Sequence, residues 1–212
     1  MKKQKGIFCG IGMLAAFALW TALVSSVDAQ PIGPRESVVG FAALNGFIHN
    51  LTGVHMSLYV ITDWLGLVPV AVCLGFAVLG LHQWIKRKHI WKVDRSILVL
   101  GGFYVVVMAA YLLFEMYVIN YRPVLIDDYL EASYPSSTTL LVLCVMPTAM
   151  MQLKRRIRDH RLRICVLAII GFFVAFMVLG RLISGVHWVT DIIGGILLSA
   201  GLNILYRTLA FS

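Results

Sequence analysis

A chain of 212 residues that is 60% hydrophobic and only 13% charged is too apolar for an ordinary water-soluble domain, in which about a quarter of residues carry charge. With a mean hydropathy of +0.87, its composition is that of a polytopic membrane protein, and a small disulfide-stapled secreted domain is excluded. The formal charge of +8 does not by itself indicate nucleic acid, because in a membrane chain the placement of the 18 Lys and Arg matters more than their sum.

Six apolar stretches are predicted to span, roughly 7–27, 65–85, 97–118, 138–153, 164–183 and 187–206. Most approach the ~20 residues needed to cross a ~30 Å hydrocarbon core. The first follows Met-Lys-Lys-Gln-Lys and precedes Val27-Asp28-Ala29, which loosely resembles a cleavable signal. Its apolar run exceeds the ~7–15 residues usual for such signals, so it is taken as a span. The stretch 36–62, mixed apolar and polar with His49 and His55, suits one or two interfacial helices on the outer surface. Pro147 lies inside the short fourth stretch and predicts a kink, provided that Ser, Thr or a neighbouring helix satisfies the freed carbonyl. Cys9, Cys73, Cys144 and Cys165 fall in apolar runs at irregular spacing, as packing residues rather than metal ligands or disulfide partners. No repeat or long linker divides the chain. The expectation is therefore an all-α, six-helix membrane bundle forming one domain over 1–212.

Fifteen of the 18 Lys and Arg lie before the first span, in 86–95, in 154–163 and at Arg207. The positive-inside rule puts that side, with both termini, in the cytoplasm of a multi-pass cell-membrane protein. Topology suffices to explain these clusters; binding of anionic membrane lipids is a secondary reading, and nucleic acid is not expected as a partner. Only Arg35, Arg122 and Arg181 remain for the outer side.

At that outer level three polar groupings converge. The third span runs into Glu115 and, seven residues on, Arg122-Pro123. The fourth begins after Tyr134-Pro135-Ser136-Ser137-Thr138, a helix start whose free amides and positive dipole end favour an anion. The fifth and sixth are joined through Arg181, His187 and Asp191. Arginine offers a planar fork of donors for phosphate oxygens. A carboxylate four residues after a histidine can fix its tautomer and support its charged form. The structural alternatives are a buried Arg181–Asp191 pair with His187 as an interfacial cap, and a Glu115–Arg122 pair or a snorkelling Arg122. Together the groups can bind a phosphate and attack it, within reach of a lipid headgroup.

The arrangement resembles the type 2 phosphatidic acid phosphatase family, integral-membrane relatives of the vanadium haloperoxidases, over about residues 60–206. The family pattern K-x6-R-P, P-S-G-H, S-R-x5-H-x3-D meets Arg122-Pro123, then Pro135-Ser136, then Arg181, His187 and Asp191 at full spacing. The resemblance implies that His187 is a nucleophile that becomes phosphorylated, that Asp191 orients it, and that Arg122 and Arg181 hold phosphate. Ser136 and the amide of Ser137 would add phosphate contacts, with Thr138 beside them. It implies no metal and no cofactor. The departures that matter are Glu115 for lysine, Thr138 for the second-motif histidine and Gly180 for serine. Threonine cannot replace that histidine as the acid that protonates the leaving oxygen, and losing such a group commonly costs 10²–10⁴-fold. Glu115 protonated by burial, or His49 or His55 folded over the site, could replace it.

Two functions are therefore open: a phosphohydrolase acting on a lipid phosphate such as phosphatidate, phosphatidylglycerol phosphate or a polyprenyl diphosphate through a phosphohistidine, or a catalytically silent relative that binds or moves phospholipid headgroups. The retained His187 and Asp191 favour the first, because a clamp needs no oriented nucleophile. The sequence leaves the oligomeric state open.

Overall fold

The computed structural model describes residues 2–211; residues 1 and 212 of the single-domain expectation lie outside them. Eight helices follow one another: α1 (Lys2–Ser26), α2 (Ala42–Thr52), α3 (Met56–Leu65), α4 (Leu67–Arg87), α5 (Arg95–Met116), α6 (Ser137–Arg156), α7 (His160–Ile183) and α8 (Val189–Phe211). Among the described residues β structure is limited to isolated bridges such as Tyr121 with Ala132. Six segments are long and apolar enough to cross a membrane: α1, the nearly continuous pair α3–α4, and α5 to α8. All six expected spans are present, with ends displaced by up to nine residues, the most at the start of the second.

α6 and α8 are the most buried of the six and form the centre of the bundle, which explains why α6 is the least apolar of them. Its polar residues bond to neighbouring helices instead of meeting lipid. Gln152 donates to the Ser96 carbonyl at 3.1 Å and to the Tyr206 hydroxyl at 2.5 Å. Pro147 deprives the Leu143 carbonyl of its helical donor, and Asn203 of α8 supplies one at 2.6 Å. α1 is tied to the site end of the bundle: Trp20 donates to the Thr190 carbonyl at 3.1 Å, and the Thr21 hydroxyl lies 2.7 Å from that of Tyr134. The Tyr134 ring packs between Phe17 and Phe114, fixing the segment that leads into α6.

The stretch 36–62 forms two helices, as one of the alternatives had it, but α3 continues almost directly into α4. Both helices pack over the turn between α7 and α8. Buried Asn45 of α2 donates to the Thr190 hydroxyl at 3.0 Å and accepts from the Thr190 amide at 3.3 Å. The His55 amide donates to the Ser184 carbonyl at 2.9 Å.

Candidate active site

The turn 184–188 is shaped by Gly185, whose φ of +69° is a left-handed conformation. A β-carbon there would lie 1.9 Å from the Gly53 carbonyl oxygen, so only glycine allows the α2–α3 connection this close. His187 sits in the turn and not on a helix. Asp191 lies in the first turn of α8, and its Oδ2 accepts from the Trp188 amide at 2.9 Å, the return half of a helix-capping arrangement. Both side chains are buried.

Their relation differs from the expected direct support. His187 Nδ1 and Asp191 Oδ2 are 3.8 Å apart, beyond a hydrogen bond, because the Ser133 hydroxyl lies between them. Ser133 Oγ donates to Asp191 Oδ2 at 2.5 Å and lies 3.0 Å from His187 Nδ1. With its only proton given to the carboxylate, that oxygen accepts from Nδ1–H, leaving the lone pair on Nε2. Nε2 faces Arg181, whose Nη2 is 3.5 Å away. Burial, and then the charges of Arg122 and Arg181, hold the imidazole well below its usual value near 6.5, so it is neutral at pH 7.

Both arginines are buried, and neither makes the pair that a purely structural reading assigned. Arg181 lies 3.6 Å from the exposed carboxylate of Asp63 and 3.4 Å from the Thr62 hydroxyl, not against Asp191. Arg122 Nε is 3.1 Å from Glu131 Oε2, not from Glu115. That ion pair is out of line for a hydrogen bond: Arg122 Nε and Nη1 and Arg181 Nε are buried donors without an acceptor. Buried charged donors without partners are costly, and a bound oxyanion removes that cost. The Tyr59 ring lies beneath both guanidinium groups, with its centroid 4.9 Å from Arg181 Cζ and 5.7 Å from Arg122 Cζ.

Tyr59, Thr62 and Asp63 share one face of α3 at i, i+3 and i+4 and all meet Arg181. This packing accounts for Gly180, since a β-carbon there would lie 2.8 Å from Thr62 Cγ2. Sequence reasoning missed this face, and it missed Ser133. The spacing of Tyr59, Thr62 and Asp63 and the loss of a side chain at 180 were the available signals for the first.

The remaining predicted residues are divided. Glu115, Arg122 and Ser137 line one cavity of about 290 Å³, together with Glu131 and Ser133. Glu115 is exposed, one residue before the end of α5, so the burial invoked to protonate it is absent. Ser136 is buried as the α6 cap, with its Oγ 3.5 Å from the Thr139 amide and its own amide donating to the Asp191 carbonyl. Thr138 lines a second, largely apolar cavity bordered by α3, α4, α5 and α6, together with Asp63, Tyr104 and Ser137. His49 packs tilted against Trp188 with ring centroids 5.4 Å apart, and His55 Nε2 is engaged with the Thr52 carbonyl at 2.9 Å.

Fold and site thus define a six-span helical membrane protein with a histidine and two arginines gathered at one end. Residues 113–211 match the model of the PAP2 superfamily, a stretch that contains every motif residue named above. The fold as a whole is similar to that of the transmembrane PAP2 type phosphatidylglycerolphosphate phosphatase from Bacillus subtilis, with 19% identity, 95% of this chain and 94% of that chain covered, and a TM-score of 0.53. No curated protein matches the chain.

Proposed function

We propose that this chain is a membrane lipid phosphatase that works through a phosphohistidine on His187. The observation that carries the reading is the pair of buried arginines with unpartnered donors on the Nε2 side of a neutral histidine whose Nδ1 is anchored by Ser133. The phosphate takes the place at Arg181 that exposed Asp63 now holds, and the arginines neutralise its oxygens. The Nε2 lone pair forms the N–P bond, the P–O bond to the lipid breaks, and the electron pair leaves on the lipid oxygen. That oxygen takes a proton from water. Because Nδ1 keeps its proton, the phosphorylated ring is positive, and Ser133 with Asp191 stabilises it. Water then attacks phosphorus, the N–P pair returns to Nε2, and phosphate leaves.

The charge distribution supports a site on the outer face with both termini inside; an impermeant thiol reagent that labels a cysteine placed at 158 from outside intact cells would reverse it. Phosphate release from phosphatidate, phosphatidylglycerol phosphate and a polyprenyl diphosphate by the purified protein, with and without EDTA, tests the activity. Release from at least one, undiminished by EDTA, is expected; release from none refutes it.

A further inference from the structure

We propose that the end of the bundle opposite His187 carries a second anion site, which holds the headgroup of an anionic phospholipid. α1, α6 and α8 meet there around a groove of about 1160 Å³ lined by Lys3, Lys5, Lys154, Arg155 and Arg207, with no acidic side chain lining it among the described residues. Two neighbouring cations at that end are paired: Arg87 and Arg156 with Asp94 at 3.0 and 3.4 Å. Among the described residues none of the five groove cations has an ion pair. Gathering like charges without a counter-ion opposes the folded arrangement, and a bound anion relieves it. The bias of basic residues to one membrane face explains why they lie at this end. It does not explain why cations from three helices, distant in sequence, converge on one groove.

The walls supply the rest of the site. Met151, Ile204 and Phe211 give it an apolar side, and the Arg155 guanidinium lies 4.2 Å over the Phe211 ring. Stacking orients a guanidinium while its N–H edge stays available to oxygens. The volume exceeds the ~300–1,000 Å³ of drug-sized sites and has room for a glycerol-linked headgroup. Along α8 the groove lies about 24 Å from Asp191, at 1.5 Å per residue, so one headgroup cannot serve both sites. A zwitterionic lipid would bring its own ammonium into this field. The geometry therefore selects a lipid with net negative charge, its chains leaving along the apolar wall.

Native mass spectrometry of the detergent-purified protein tests this with dioleoyl phosphatidylglycerol, dioleoyl phosphatidylcholine and soluble glycerol 3-phosphate. Phosphatidylglycerol is retained and phosphatidylcholine is not. Since each basic residue facing an anionic lipid contributes roughly fivefold, Arg155→Gln with Arg207→Gln lowers retention roughly tenfold or more. Lys5→Gln with Lys154→Gln does so independently, and Arg155→Lys with Arg207→Lys keeps most of it. Protein carrying Arg122→Gln and Arg181→Gln retains the lipid. Equal retention of phosphatidylcholine, unchanged retention in both Gln pairs, or loss in the Arg122/Arg181 variant would overturn the proposal. Displacement by glycerol 3-phosphate as effective as by the lipid would make this a site for a soluble phosphate, which also overturns it.

Discussion

Ser133→Ala removes the one hydroxyl that joins His187 to Asp191 and leaves the two 3.8 Å apart. Asp191 keeps the Trp188 amide at 2.9 Å, so the turn and the start of α8 should persist. What is lost is a hydrogen bond that strengthens when the ring becomes positive in the phosphorylated state. Hydrogen bonds to charged groups contribute about 1.5–3 kcal/mol. At about 1.4 kcal/mol per tenfold in rate, that corresponds to a fall of roughly 10- to 150-fold in kcat. KM should change little, because Ser133 does not hold the phosphate. Steady-state phosphate release by Ser133→Ala, Asp191→Asn and the double variant is the assay. If the serine transmits the support of the carboxylate, the two effects overlap and the double variant is little worse than the poorer single one. Full activity in Ser133→Ala, or effects that simply multiply, would refute this reasoning.

Lysine at 122 or 181 keeps the charge and loses the fork, so kcat/KM should drop about tenfold or more; two fully active Arg→Lys variants would make these residues topological anchors. Gly180→Ser restores the family's serine but drives a side chain into Thr62, so thermal unfolding in detergent should show a loss of about 1–3 kcal/mol as α3 is displaced from Arg181; unchanged stability contradicts the packing account. Burial and the two arginines lower the His187 pKa, so the neutral nucleophile persists below pH 6.5, and the wild-type acid limb of kcat/KM should not have its midpoint there. Removing one positive charge with Arg122→Gln raises that pKa and moves the limb to higher pH; a limb that stays in place rules out the coupling. The same sign makes folding stability fully present above pH 6.5 and diminished as pH falls from there toward the lowered folded value, since the unfolded chain takes up the proton first.

The bundle is legible in the sequence because lipid imposes a strong rule: apolar runs of spanning length must be helices. Arg122, the α6 start, Arg181, His187 and Asp191 could be gathered for the same reason, since alternate span ends share one membrane level. Contacts made by a single hydroxyl could not be anticipated. Ser133 meets His187 and Asp191 across 54 and 58 residues of sequence, and no periodicity marks a serine in a connecting segment. The face of α3 was hidden because 36–62 was assigned to the membrane surface, whereas Tyr59, Thr62 and Asp63 turn inward onto Arg181. Thr138 was grouped with Ser136 and Ser137 by adjacency; Ser137 borders both cavities, whereas Thr138 lines only the apolar one.

The central claim is that His187 is the nucleophile, and quenching turnover of a 32P-labelled lipid phosphate in alkaline SDS tests it most directly. Wild-type protein should yield an acid-labile, alkali-stable phosphoenzyme whose label maps to the peptide containing His187, and Asp191→Asn should form it more slowly. His187→Ala should form none and release no phosphate while still binding the lipid. Hydrolysis that persists in purified His187→Ala, or label mapping to another residue, would contradict the account; no adduct and no turnover in wild type would leave the arginines as a headgroup clamp without chemistry.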